Sequence, residues 1–148
     1  MKRSKEFWDL FYLEQAKKYS EASKDPSTKV GAILIDRDNR IISAGCNGLP
    51  RGIRDSKKRL KGLIKYKIII HAEVNAILYA RANLSGCTVY TYPLYPCSVC
   101  AAILIQAGIE RVVSVNKPNI KRRWVDSMKL SRKLFKEAGV QYKLYDYF

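Results

Sequence analysis

Acidic residues are scarce in this chain: thirteen Asp and Glu stand against 28 Lys and Arg, leaving a formal net charge of +15 over 148 residues. That deficit does not set a fold, but it favours anionic partners such as nucleotides, nucleic acids and acidic effectors. Long apolar runs are also missing. None approaches the roughly 20 residues of a membrane-spanning helix. The opening residues, Met1-Lys-Arg-Ser-Lys-Glu6, lead into an amphipathic stretch without an apolar core. No signal peptide is therefore expected, and the expected location is cytoplasmic. Internal repeats, low-complexity tracts and Pro/Gly/Ser-rich linkers are absent, which argues for one domain spanning residues 1–148. Cysteine occurs four times, at positions 46, 87, 97 and 100. In a reducing compartment disulfides are not the expected use of these thiols. Histidine occurs once, as His71.

What is present suits a globular core. Hydrophobic residues make up 47%, with ten Tyr and two Trp, which excludes a disordered chain. The length is enough to bury one core without covalent staples. Phe7, Leu10, Phe11, Leu13 and Ala16 recur near a period of 3.6 after a possible cap at Ser4, and Asp25-Pro26 breaks that helix. Two runs rich in branched residues, 30–35 and 40–44, flank the turn residues Asp36-Arg-Asp-Asn39 and read as a β-hairpin. Residues 45–52 read as a loop, and 53–67 are basic and weakly patterned. Helices are expected over 71–81, 97–107 and 127–138, the last two closed by Gly108 and Gly139, and Pro96 suits a helix start. Strands are expected at 88–92, 111–115 and 140–145. The resulting order, α-β-β-α-β-α-β-α-β, implies one sheet with helices on its faces. The helical crossover makes strands 111–115 and 140–145 parallel.

Two short motifs carry chemistry. Cys97 and Cys100 share a helix face in a first turn, where the helix dipole favours thiolates. Alone, that C-x-x-C fits a metal site, a redox pair or neither. His71 alone reads as a structural histidine, and Glu73 alone as a surface carboxylate near a helix start. Together, His71, Cys97 and Cys100 supply three metal donors. Structural zinc sites take four, which Cys46 or Cys87 could complete; catalytic ones take three and keep a position open for water. A carboxylate that is not a ligand, here Glu73, can then move protons. An H-x-E followed later by P-C-x-x-C is the known motif of zinc nucleobase deaminases. Because positions i and i+2 do not share a helix face, His71 and Glu73 can converge only at a helix tip.

On these motifs the chain resembles the cytidine/deoxycytidylate deaminase superfamily, and within it the deoxycytidylate (dCMP) deaminases, phage-type ones included. The resemblance extends through Asp25-Pro-Ser-Thr-Lys-Val-Gly-Ala32, the loop Gly45-Cys-Asn-Gly-Leu-Pro-Arg-Gly52, His71-Ala-Glu-Val-Asn-Ala-Ile77, Pro96-Cys-Ser-Val-Cys-Ala101, Ile105-Gln-Ala-Gly-Ile109 and Ala138-Gly-Val140. It implies a three-layer α/β/α sandwich with a five-stranded mixed sheet. It implies zinc on His71, Cys97 and Cys100, one ion per chain because no histidine remains for a second site. Glu73 would deprotonate the water, protonate ring N3 and then the departing amine, while hydroxide attacks C4. Asn47 and the Ala72 backbone would contact the substrate. The loop is linked in the family to dCTP (activating, with Mg²⁺) and dTTP (inhibiting); here Cys46 replaces the family's Tyr. Lys29, Arg51, Lys117 and Lys121 are candidate phosphate contacts, with Cys46 and Gly48 as effector contacts. A homohexamer is implied as well. A tRNA or single-strand nucleic-acid deaminase, which the net charge favours, and a non-enzymatic zinc or nucleotide-binding relative are the competing readings.

Overall fold

The computed structural model describes all 148 residues. Helix α1 (Lys5–Ser20) begins at Ser4, whose Oγ accepts a hydrogen bond from the Phe7 N–H at 3.0 Å. Strands β1 (Gly31–Ile35) and β2 (Ile41–Cys46) pair antiparallel across a turn in which Asp36 Oδ1 accepts from the Asp38 and Arg40 N–H groups. Then come α2 (Gly62–Ile68), α3 (Ala72–Ala80), β3 (Thr88–Tyr92), α4 (Ser98–Gln106), β4 (Arg111–Asn116), α5 (Arg122–Glu137) and β5 (Gln141–Asp146). The strands form one mixed sheet in the order β2-β1-β3-β4-β5. Strand β1 runs antiparallel to both neighbours, whereas β3, β4 and β5 run parallel, as helical crossovers require.

Alternation along the strands sorts side chains to two cores. Ile33, Ile35, Tyr90, Tyr92, Val113 and Val115 pack with Tyr12, Leu13 and Ala16 of α1. Ala32, Leu34, Val89 and Val112 point the other way, onto Ala72 and Ala76 of α3, Ala101 and Leu104 of α4, and Met128 and Phe135 of α5. The result is the expected α/β/α sandwich.

Three local expectations are corrected. The segment after the hairpin is not featureless, because it forms α2, with Lys65 buried. Helix α5 starts at Arg122, five residues before the expected 127; Trp124 extends the inward face of Met128, Ser131 and Phe135 by one turn. In α1 the buried face is Asp9, Tyr12, Leu13, Ala16 and Ser20, while Phe7, Leu10 and Phe11 stay exposed. The apolar stripe was misread because an inward aspartate occupies the core position.

Asp9 is 1% exposed. Its carboxylate accepts two bonds from the Arg111 guanidinium at 2.7 Å, one from Tyr90 Oη at 2.8 Å and one from Tyr145 Oη at 2.7 Å. One side chain of α1 thus ties together β3, β4 and β5. Burial alone would push this carboxyl up, but Arg111, Tyr145 and Tyr90 outweigh it and hold it below its ordinary 3.8. A depressed folded value means that the stabilisation is complete above the unfolded value and disappears as pH falls through the folded one. Asp9→Asn should therefore cost about 3 kcal/mol at neutral pH, by leaving Arg111 unpaired. In urea titrations it should also lose the part of the acid-induced destabilisation that wild type shows below pH 3.8.

Candidate active site

The site forms where α3 and α4 begin. His71 is the N-cap of α3, and its side chain makes no capping bond. The imidazole turns instead toward α4, placing Nδ1 3.5 Å from Cys97 Sγ and 3.3 Å from Cys100 Sγ. Cys97 is the N-cap of α4, and its sulfur accepts from the Cys100 N–H at 3.5 Å, the role Ser or Thr oxygens usually fill. Pro96 accordingly precedes the cap and does not open the helix itself. Ser127 of α5 steadies this start, its Oγ accepting the Ser98 N–H at 2.9 Å.

Helix α3 is seated by backbone proximity. A Cβ on Gly45 would lie 2.5 Å from the Ala72 carbonyl oxygen and 2.6 Å from the Ala76 nitrogen, so only glycine lets β2 run this close. Ser43 Oγ donates to the Ala76 carbonyl at 2.7 Å and Asn75 Nδ2 to the Cys46 carbonyl at 2.8 Å. These contacts fix the tip from which His71 and Glu73 project.

The donor atoms of His71, Cys97 and Cys100 all lie within 4.8 Å of one another. Zinc bonded at its usual lengths to one imidazole and one thiolate in a tetrahedron would separate N and S by about 3.6 Å. The spacing, the donor chemistry and the count of three all suit that ion. Neither Cys46 nor Cys87 joins the cluster, so the fourth protein donor of a structural site is not supplied. Donation from the Cys100 thiol, then from His71 and the Cys100 N–H, draws the Cys97 thiol down to about 4. Cys100 is pushed the opposite way, chiefly by that neighbouring sulfur. Glu73, in the first turn of α3 and 4% exposed, is pushed above its ordinary 4.5 by burial.

A cleft of about 630 Å³ opens onto these residues. His71, Ala72, Glu73, Cys97 and Asn47 line it, as the sequence motifs imply. Asn47 is largely engaged: Oδ1 accepts from the Val30 N–H at 2.9 Å, and Nδ2 donates to the Thr28 carbonyl at 2.9 Å and to Asp25 at 3.3 Å. One lone pair of Oδ1 is left. Lys29, Arg51, Lys117 and Lys121 do not line this cleft; Arg51 instead donates to the Tyr79 hydroxyl at 3.1 Å. Cys46 and Gly48 line a second cleft of about 720 Å³ on the other side of Asn47 and Asp25. The cations on the first cleft are Lys65 and Arg123, carried by α2 and by the early turn of α5. Both were missed with those elements. The spacing of Trp124 to Met128, four residues on one face, was the available signal for the second.

Residues 6–116 match the family model for the cytidine and deoxycytidylate deaminase zinc-binding region, and the chain belongs to that family. Among its relatives, an uncharacterised deaminase from the luxG 3′ region of Aliivibrio fischeri is 40% identical over 135 residues, covering 90% of each chain. The deoxycytidylate deaminase of Mus musculus is 34% identical over 143 residues, covering 92% of this chain and 78% of the mouse protein. The crystal structure of a dCMP deaminase from cyanophage S-TIM5, in complex with dCMP and dUMP, superposes with a TM-score of 0.75 at 23% identity, covering 97% of this chain and all of that one (100%). It supports the fold.

The cleft wall itself rests on a buried ion pair. Lys65 Nζ lies 2.9 Å from Asp25 Oδ1, and that oxygen also accepts the Ser27 and Thr28 N–H groups. Lys65→Ala would strand the Asp25 charge and should lower stability by about 3–5 kcal/mol, read as a reduced urea midpoint at unchanged slope.

Proposed function

We propose that the chain hydrolyses dCMP to dUMP and ammonia. The observation that carries this reading is a three-donor His/Cys/Cys cluster beside a buried carboxylate that is not part of it, both facing one cleft. The curated deoxycytidylate deaminases at 34% identity supply the substrate. When bound, zinc supplies the Lewis acidity that ionises water near neutral pH. The residues of this chain do the remainder. His71, Cys97 and Cys100 hold the ion, and Glu73 takes the proton of the attacking water. Glu73 gives that proton to ring N3, then takes the proton of the new C4 hydroxyl and passes it to the amine, which leaves as ammonia. A C4–O bond forms and the C4–N bond breaks. The free lone pair on Asn47 Oδ1 accepts from a substrate hydroxyl, and the Ala72 backbone meets the base.

Regulation by dCTP with Mg²⁺ and by dTTP belongs to the same reading. It is supported by the second cleft, which shares Asn47 and Asp25 with the first and carries Cys46 and Gly48. Self-association, as a hexamer, is supported by Leu78 and Val99, apolar side chains of α3 and α4 that are 65% and 66% exposed. No helix is long and apolar enough to cross a membrane.

An ammonia-release assay over cytidine, CMP, dCMP, dCTP and an oligonucleotide, each with and without dCTP or dTTP, tests the assignment. The expected outcome is turnover of dCMP above all others; turnover of the oligonucleotide or a tRNA without turnover of dCMP would sink it. Metal analysis should find one zinc per chain. Glu73→Gln should keep that zinc and lower kcat by about 10²–10⁴-fold.

A further inference from the structure

Two cations line the catalytic cleft, and they are not equivalent. Lys65 is 4% exposed and bound to Asp25, so its charge is already matched inside the wall. Arg123 is exposed and has no carboxylate partner. Its guanidinium carbon lies 4.3 Å from the centre of the Tyr66 ring and 5.2 Å from that of Trp124, and it donates to the Tyr66 hydroxyl. Two aromatic rings therefore hold a charged fork at the cleft, with most of its five N–H donors unused.

The mount also faces the metal triad. The Trp124 ring is 6.2 Å from the His71 ring. The same indole thus neighbours both the imidazole of the triad and the Arg123 guanidinium, and all three residues line the cleft. No acidic residue stands in the first turn of α5, where Arg122 and Arg123 follow Lys121. Cations at that end of a helix are locally disfavoured. Positions that break a local rule are expected at functional or strained sites.

We propose that Arg123 determines specificity by gripping the 5′-phosphate of the nucleotide while its base lies at the triad. The inference rests on the dCMP reading above. Arginine suits the task because its planar fork can take two phosphate oxygens at once, and the stacked rings fix the plane of that fork. Of the cations chosen from sequence, none lines the cleft, whereas Arg123 lines it without a competing carboxylate.

The test compares kcat/KM for dCMP and deoxycytidine in wild type, Arg123→Ala and Arg123→Lys, with zinc content and thermal midpoint as controls. Arg123→Ala should lower the preference for dCMP over deoxycytidine by about 30–100-fold, mostly through KM. Arg123→Lys should recover part of it, because the charge remains and the fork does not. An equal loss on both substrates would make Arg123 a structural residue and overturn the proposal, as would an unchanged preference. Binding of dUMP and deoxyuridine, followed by tryptophan fluorescence, separates the two readings. Wild type that turns over no dCMP overturns the function above. Equal dUMP affinity in wild type and Arg123→Ala overturns the assignment of Arg123.

Discussion

Helices α3 and α4 must begin close enough for the donor atoms of His71, Cys97 and Cys100 to lie within 4.8 Å of one another, and much of the molecule serves that requirement. The sheet order places β1 between β2 and β3, so the helix seated on β2 and the helix that follows β3 start on the same face. The absent side chain at Gly45 lets α3 lie directly on the strand. Ser43 and Asn75 lock its rotation, and Ser127 holds the tip of α4. At both tips the capping position is given to a metal-binding type of residue. Cys97 does both jobs, because its sulfur can cap a helix and also ligate an ion. His71 leaves its own helix without a side-chain cap, so its imidazole is free for the triad. Helix stability is given up at one tip for the geometry of the site.

The sheet, the hairpin and the three helices facing the site were legible because they follow from local periodicity. The cluster of His71, Cys97 and Cys100 beside Glu73 was legible because its residues lie in two short motifs with fixed spacing. What was not legible shares one cause, which is polar groups placed inside by partners far away in sequence. Asp9 occupies a core position of α1 because Arg111 lies 102 residues further on, and no single-helix pattern contains that information. Lys65 sits buried in a segment that reads as solvated because Asp25, 40 residues earlier, neutralises it. The early turn of α5 falls outside the helix expected over 127–138, because Lys121-Arg122-Arg123 carries no apolar signal and the Trp124 that orders it packs on Tyr66 and His71.

The same pairing logic divides the cations by role. Arg111 and Lys65 are held by buried carboxylates and belong to the fold. Arg51 rests on Tyr79 beside the second cleft, and Arg123 on Tyr66 and Trp124 beside the first. A basic residue mounted on an aromatic face keeps both its charge and its position, whereas one paired to a carboxylate keeps only the position. The formal charge of the chain therefore overstates what any single ligand can use.

Further cations stand on and next to α2 and α5, the two elements that carry Lys65 and Arg123 into the cleft wall. Lys57, Lys58, Arg59, Lys61 and Lys67 are exposed on and before α2, and Lys121 and Arg122 at the start of α5. The single acid between positions 48 and 70, Asp55, is already engaged by Lys24 at 2.7 Å. A fringe of one sign draws oppositely charged molecules from solution over a Debye length of about 8–10 Å at ordinary salt. Its pull acts on diffusional encounter and fades as counterions accumulate, whereas the buried groups behind it are shielded far less. Rising ionic strength should therefore slow the arrival of a phosphorylated ligand while the bond-breaking step keeps its pace.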